Sequence, residues 1–269
     1  MKLSLIQMDI AWKDRKKNHD RALSFIKRAE EEGCDLIVFP EMFDTGFSMD
    51  IHALGDGSGT DSLLSEAARR HGLYIIAGFA VRKRGSHRGK QSFPLCTKNN
   101  VEGKARNMAV VYDRGGKAIA RYSKIHPFSY MGEDRFFIAG ERPVLFEING
   151  IPSSVFICYD LRFPEVFRKV ADSVHLIFVI ANWPSSRVDH WKTLLRARAI
   201  ENQCFVTGVN RIGRDGNAID YPGCSSIYDP SGTELLSGNS REEFLVAEID
   251  PSEVERVRRE FPFLKDRKV

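Results

Sequence analysis

The feature that most limits what this chain can fold into is a strand, helix, strand series that occurs twice. In the first, Leu3 to Met8 alternates apolar and polar residues and predicts a strand. Residues 14 to 32 follow with Ala22, Phe25, Ile26 and Ala29 at three- and four-residue intervals, a helical spacing that Gly33 stops. Cys34-Asp35-Leu36-Ile37-Val38-Phe39 then reads as a buried strand closed by Pro40 and Glu41. The second series runs through Val144 to Ile148, Ser154 to Cys158, a helix near 164 to 172 and the apolar run Leu176 to Ala181. It continues with a helix over roughly 189 to 202 and a strand at Cys204 to Val209. Between the two series lie a Gly- and Asp-rich loop from Thr45 to Thr60, a helix near 61 to 71 and a strand over Leu73 to Phe79. Antiparallel strands up to residue 122 follow, turning at Asp113-Arg114-Gly115-Gly116. A hairpin over Ser225 to Leu236, a strand over Phe244 to Ile249 and a short helical tail from Pro251 complete the chain. No Pro/Ser-rich linker separates the halves. The pattern predicts an α/β fold in a single domain, 1–269, with a core of about 1–250 and a tail of about 251–269. Two mixed sheets pack face to face in it, with helices on their outer faces.

Charge and cysteine usage exclude several classes of function. A formal net charge of +4 over 269 residues is too weak to imply a nucleic-acid or membrane partner. The densest basic cluster, Arg82-Lys83-Arg84 with Arg88 and Lys90, contains Gly85 and Gly89 and reads as a solvated hairpin loop. Five cysteines, Cys34, Cys96, Cys158, Cys204 and Cys224, form an odd set with no C-x-x-C pair and no zinc-ligand spacing, and seven histidines are scattered. This is the usage of a reducing compartment, so the chain is expected to be cytoplasmic and to hold no metal. No apolar segment approaches the length that spans a bilayer.

Three polar residues interrupt or end apolar runs: Glu41, Lys124 and Cys158. Cys158 stands where Val155-Phe156-Ile157 gives way to the charged stretch Tyr159 to Glu165, a strand-to-helix elbow. Such an elbow lifts a side chain out of the sheet and sets backbone N–H groups beside it, as a nucleophile and its oxyanion site both require. A nucleophilic thiol needs a base. Glu41, desolvated by its apolar neighbours, is expected to have a raised pKa suited to that task. Lys124 supplies a charge that favours thiolate and a developing oxyanion. Read singly, Cys158 is more often a core thiol, Glu41 more often a cap or ion-pair partner and Lys124 almost always a solvated turn charge, and spacing alone does not bring the three together. His126 offers a Cys-His alternative, but it follows Lys124 directly in a loop and the other residues already supply a base.

The stretches Pro40-Glu41-Met42-Phe43, Tyr122-Ser123-Lys124-Ile125-His126 and Cys158-Tyr159-Asp160-Leu161-Arg162-Phe163-Pro164-Glu165 resemble, in order, the catalytic motifs of the nitrilase superfamily of carbon–nitrogen hydrolases. The resemblance extends to Ala181-Asn182-Trp183-Pro184 and to the helix from Arg196 to Asn202, and covers the chain from the first strand to about residue 250. It implies a four-layer α-β-β-α sandwich, a homodimer or higher homo-oligomer, a small-molecule amide substrate and no cofactor. Carried over, Glu41 is the general base and acid, Lys124 the oxyanion stabiliser and Cys158 the nucleophile, with the Tyr159 backbone N–H as oxyanion donor. The family's second active-site glutamate corresponds to Glu133, with Asp134 as the competing position. Within the superfamily the chain resembles the omega-amidase branch, which acts on the terminal amide of 2-oxo acids. Other branches, acting on nitriles or on carbamoyl and ureido groups, share parts of these motifs. A non-catalytic member of the fold is disfavoured because all three triad residue types are present. Candidate substrate contacts are Phe43, Phe47, His126, Arg162, Asn182 and Trp183, with Phe128 and Tyr130 as further pocket walls. Arg162 and Arg187 are candidates for a substrate carboxylate, and Arg162 also reads as a tie within the elbow, beside Asp160 and Glu165.

Overall fold

Alternate residues of the first sheet belong to two different apolar layers, and this division places the site. The computed structural model describes residues 1–82 and 103–268. Strands β1 (Lys2–Gln7), β2 (Leu36–Val38), β3 (Tyr74–Arg82), β4 (Ala105–Tyr112), β5 (Ala118–Ser123) and, from the far end of the chain, β14 (Glu243–Glu248) form one sheet. Its order is β14-β1-β2-β3-β4-β5. The β1-β2-β3 portion is parallel and the remaining pairs are antiparallel. Leu36, Val38, Ile76, Ala109 and Val111 join one cluster with residues of the second sheet. Ile37, Ile75, Ala77, Val110 and Tyr112, on the opposite pleat, join Ala22, Ile26, Leu64 and Ala68. Those last four lie on helices α1 (Arg15–Glu31) and α2 (Ser58–His71), which cover the outer face.

The second sheet repeats the plan. Strands β6 (Phe146–Ile148), β7 (Ile151–Ile157), β8 (Leu176–Ala181), β9 (Phe205–Asn210), β12 (Ser226–Tyr228) and β13 (Glu234–Ser237) run in the order β13-β12-β9-β8-β7-β6, with β7-β8-β9 parallel. Helix α5 (Val188–Asn202) packs Trp191, Leu195 and Ala199 on its outer face, beside the short α4 (Pro164–Arg168). Between the two helices and the first sheet, β8 contributes six consecutive residues with no side chain exposed. Helix, sheet, sheet, helix is therefore the observed layering. Remaining elements are α3 (Glu133–Phe136), the small β10 (Ile212–Arg214) and β11 (Asp220–Pro222) hairpin, and α6 (Ser252–Glu260).

Several expectations are refined. The strand expected over Leu3 to Met8 is β1, and its polar residues Ser4 and Gln7 are fully buried. Ser4 Oγ donates to the Leu36 carbonyl, and the Gln7 amide bonds the backbone of Asn239, Arg241 and Ser225, so both polar groups are satisfied inside. Helix α2 begins at Ser58 rather than near 61, and the helix expected over 164 to 172 ends at Arg168 before a separate 3-10 turn, Ala171–Ser173. Residues Lys83 to Lys90 and Cys96, with the loop reading given to the basic cluster, lie outside the described residues. No helix among the described residues is long and apolar enough to cross a membrane.

Candidate active site

The floor of the site is made where β7 ends. Cys158 opens a 3-10 turn, Cys158–Arg162, with φ at 47°, a left-handed conformation that costs a non-glycine residue on the order of 1–3 kcal/mol unless its surroundings hold it. Asp160 provides the hold. Its buried carboxylate accepts from Ile157 N at 3.0 Å, Tyr122 Oη at 2.8 Å and His126 N at 2.9 Å, with His126 Nδ1 at 2.8 Å. Arg198 of α5 donates to the Leu161 carbonyl at 2.7 Å and so ties the same turn to the helix layer. Arg162 reaches His190 Nδ1 at 3.2 Å rather than Asp160 or Glu165, which corrects its reading as a tie within the elbow. Cys158 itself is half-buried, with Sγ 3.7 Å from the Asn182 carbonyl. The Tyr159 N–H stands in the first turn, where a helical segment has no internal partner for its N–H groups.

Glu41 reaches the site from the opposite sheet, on the bend that follows β2. Gly78 of β3 makes room for that bend: a Cβ there would lie 2.7 Å from both Glu41 Cα and Ile180 Cδ1. Glu41 Oε1 accepts from Lys124 Nζ at 2.9 Å and Asn107 Nδ2 at 2.7 Å, and Oε2 accepts from Asn182 N at 2.8 Å. Lys124, immediately after β5, donates a second bond to Glu133 Oε2 at 2.9 Å, and Asn107 a second to Glu133 Oε1 at 2.8 Å. Glu133, at the start of α3, also accepts from Phe128 N. All four side chains are buried: Glu41 and Glu133 are 0% exposed, Lys124 1% and Asn107 2%. One ammonium and one amide thus bridge two carboxylates.

The charges set one another. Burial pushes the Glu41 carboxyl up, but the Lys124 charge and the hydrogen bonds from Lys124, Asn107 and Asn182 outweigh it and hold Glu41 below its ordinary value. This reverses the raised pKa expected for Glu41 from its apolar neighbours. Glu133 is the raised one, through burial and the Glu41 charge set against Lys124. Lys124 is held firmly protonated, because the two carboxylates overcome its burial. Burial and the Glu41 charge push the Cys158 thiol well up, against the pull of Lys124.

A cavity of about 180 Å³ opens over Cys158, small beside the roughly 300 Å³ or more of pockets for drug-sized ligands. Phe47, Lys124, Tyr159, Asn182 and Trp183 line its inner part; Phe128, Tyr130, Arg162 and Arg187 stand in its wall as well. Of the expected contacts, Phe43 and His126 are absent from the wall. Phe43 is fully buried on the far side of the bend, against Phe39 and His19, because Glu41 and Phe43 leave the chain in different directions. His126 stacks on Phe163 at 3.9 Å and braces Asp160. Asp134 is exposed, and Glu133 is the acid in the cluster. Among the contributions missed are Asn107 and the β10-β11 hairpin. Asn107 sits beside Arg106 in a strand otherwise apolar from Met108 to Tyr112, and a buried polar pair in such a run was the signal. Ile219 and Tyr221, the latter bonded through Oη to Asp215 at 3.0 Å, come from the β10-β11 hairpin, whose three-residue strands carry no periodicity.

Two back-to-back mixed sheets, with a cysteine-floored cavity at the ends of their parallel strands, define a four-layer α/β hydrolase. The carbon-nitrogen hydrolase profile matches residues 2–259, and the chain belongs to that family, within the nitrilase superfamily. It is 37% identical to a 2-oxoglutaramate amidase of Bacillus subtilis (strain 168), over 98% of this chain and 96% of the relative. It is 33% identical to the omega-amidase YafV of Escherichia coli (strain K12), over 99% and 96%. Among solved structures it superposes with a TM-score of 0.88 on XC1258 from Xanthomonas campestris, a CN-hydrolase superfamily protein with an arsenic adduct in its active site. That pair is 30% identical and covers 100% of this chain and 97% of the other.

Proposed function

We propose that the protein is a thiol amidohydrolase that releases ammonia from the omega-amide of a 2-oxo acid such as 2-oxoglutaramate, the whole chain acting as one domain. The observation that carries this reading is the Lys124 ammonium fixed at 2.9 Å from both Glu41 and Glu133, beside a left-handed cysteine in the cavity floor. The 37% identity to a 2-oxoglutaramate amidase supports the substrate. Because the thiol is held up and Glu41 down, free thiolate is not the resting form. The Cys158 proton passes to Glu41 as Sγ bonds the amide carbon and negative charge moves onto the carbonyl oxygen. Lys124 Nζ and the Tyr159 N–H stabilise that oxygen. Collapse breaks the C–N bond, Glu41 returns the proton to the departing ammonia, and a thioester remains on Cys158. Water then attacks the thioester, giving its proton to Glu41, which passes it back to the cysteine as the acid leaves. Glu133 and Asn107 hold Lys124 and Glu41 in place throughout. Action in the cytoplasm is supported by the cysteine usage, and assembly as a homodimer or higher homo-oligomer by the family resemblance.

The test is ammonia release from a panel of 2-oxo acid amides, ureido acids and nitriles by wild type and Cys158→Ala. The reading expects release from 2-oxoglutaramate by wild type alone. Activity confined to ureido acids or nitriles would move the substrate to another branch, and full activity in Cys158→Ala would remove the thiol mechanism.

A further inference from the structure

Where β8 and β9 end, one buried amide takes over from the sheet. The two strands pair in parallel up to Ala181 against Asn210, and the chain then leaves the ladder through Asn182-Trp183-Pro184. Trp183 lies beyond the strand, yet both its backbone groups are satisfied. Its N–H donates to Asn210 Oδ1 at 2.7 Å, and its carbonyl accepts from Asn210 Nδ2 at 3.0 Å. The Asn210 side chain thus acts as one more strand residue, a donor and an acceptor side by side. Nδ2 also donates to the Gly223 carbonyl at 2.9 Å. Asn210 is itself fixed: its N–H donates to Ser225 Oγ at 3.0 Å, and its carbonyl accepts from that hydroxyl at 3.2 Å. The Ser225 N–H in turn is held by Gln7 Oε1 at 2.9 Å, from β1 of the other sheet. Asn210 is 0% exposed and is not one of the wall residues of the cavity.

What this amide grips lies between the nucleophile and its base. The Trp183 N–H and the Asn182 carbonyl belong to one planar peptide group. That carbonyl accepts from the Cys158 thiol, with Sγ at 3.7 Å. On the other side of the same residue, the Asn182 N–H donates to Glu41 Oε2 at 2.8 Å, and the Asn182 side-chain amide donates to the Glu41 carbonyl at 2.7 Å. The sulfur and the carboxylate come from opposite sheets, yet the backbone of a single residue spaces them. Turning the 182–183 peptide plane would take the carbonyl off the sulfur and draw Asn182 away from Glu41. The bond from Trp183 N–H to Asn210 Oδ1 opposes that turn. It also polarises the peptide group, which makes the Asn182 carbonyl a stronger acceptor.

We propose that Asn210 is a positioning residue for the reaction: by gripping the 182–183 peptide from behind, it sets the gap across which the Cys158 proton passes to Glu41. It touches neither substrate nor the reacting atoms. An apolar residue of similar size at 210 would fill the volume, leave the Trp183 N–H and two carbonyls without their partner, and free the peptide to turn. A displacement of about 1 Å at a reacting pair costs up to about 100-fold in rate. The proposal rests on the amidase reading for the roles of Cys158 as nucleophile and Glu41 as its base.

The experiment compares wild type, Asn210→Leu and Asn210→Asp, each below its thermal midpoint, by two readouts. The first is kcat and KM for 2-oxoglutaramate. Asn210→Leu is expected to lower kcat by about 10- to 100-fold with KM within about 3-fold of wild type, since the Trp183 ring in the wall stays held by its own bond to the Arg187 carbonyl. The second readout needs no amidase activity: the rate at which iodoacetamide, a neutral alkylating agent, modifies Cys158 at neutral pH, followed by mass spectrometry. There the S–C bond forms, iodide leaves and the thiol proton goes to Glu41, so the same gap controls the rate, and a fall of about 10-fold is expected. Asn210→Asp, as the neutral acid that burial among carbonyls favours, still accepts from the Trp183 N–H and recovers part of both rates. Where Asn210→Leu does not fold, Asn210→Thr carries the comparison, its hydroxyl being one bond too short to reach the Trp183 peptide. Alkylation unchanged or faster, a loss confined to KM, or an aspartate variant as impaired as the leucine one overturns the proposal. The two readings separate. Wild type that cleaves no amide, with alkylation slowed in Asn210→Leu, keeps the grip and removes the amidase reading. Wild type that cleaves 2-oxoglutaramate, with both rates untouched by Asn210→Leu, removes the grip alone.

Discussion

Replacing Asn107 by leucine tests whether an amide is what lets two buried carboxylates share one lysine. The side chains are close in shape, so the change deletes two hydrogen bonds, at 2.7 Å to Glu41 and 2.8 Å to Glu133, and little volume. Hydrogen bonds to charged groups contribute about 1.5–3 kcal/mol each, and removing a partner from a buried charge cluster costs about 3–5 kcal/mol. Glu41 keeps Lys124 and Asn182, and Glu133 keeps Lys124 and Phe128 N, so neither carboxylate is stripped bare. The leucine's added apolar burial offsets part of the loss. The expected net destabilisation is about 3–5 kcal/mol, read from urea midpoints at neutral pH, with ammonia release reduced because Glu41 and Lys124 lose their common tie. Asn107→Asp provides the sharper contrast, since it places a third carboxylate against two and should be less stable than Asn107→Leu. A leucine variant within 1 kcal/mol of wild type, or an aspartate variant as stable as the leucine one, would refute this account of the cluster.

Two further outcomes follow from the same geometry. Gly78→Ala sets a Cβ 2.7 Å from the Glu41 backbone, which cannot swing aside as a side chain would, so β3 and the Pro40-Glu41 bend must part. Overpacking of this kind costs about 1–3 kcal/mol, and a lowered thermal midpoint with reduced turnover is expected; unchanged values would mean the sheets have slack there. For Glu41→Gln the prediction concerns pH. Glu41 is held below its ordinary value of 4.5 in the folded protein, so its contribution is present above that pH and lost as pH falls through the folded value. Wild type should therefore lead the variant in urea midpoint at neutral pH and lose that lead in acid, whereas a gap constant from pH 7 to 3 would show that Glu41 is not so held.

Much of this was legible in the sequence where one residue's neighbours in the chain decide its place. The run Leu176 to Ala181 has no polar interruption and matches β8 residue for residue, and the spacing of Ala22, Ile26 and Ala29 set the buried face of α1. The motifs around Glu41, Lys124 and Cys158 pointed to residues that do meet near one cavity. What failed depends on groups that converge through space. The apolar neighbours of Glu41 argued for a raised pKa, while the donors that lower it come from β4, from the end of β5 and from beyond β8. Phe43 was misplaced because the chain bends at Met42, with φ at 44°, and no strand or helix period applies across that bend. Ser58-Gly59-Thr60 reads as loop by composition, yet it forms the first turn of α2, where the Thr60 hydroxyl donates to the buried Asp44 carboxylate at 2.7 Å.

The central claim is that Cys158 carries the acyl group between loss of ammonia and entry of water. The most direct measurement is rapid acid quench of wild type turning over 2-oxoglutaramate, followed by mass spectrometry of the peptide containing Cys158. The account predicts a transient thioester on Cys158, its mass equal to that of the acyl part of the substrate, and none in Cys158→Ala. Steady ammonia release with no adduct at any quench time, together with release undiminished in Cys158→Ala, would contradict it.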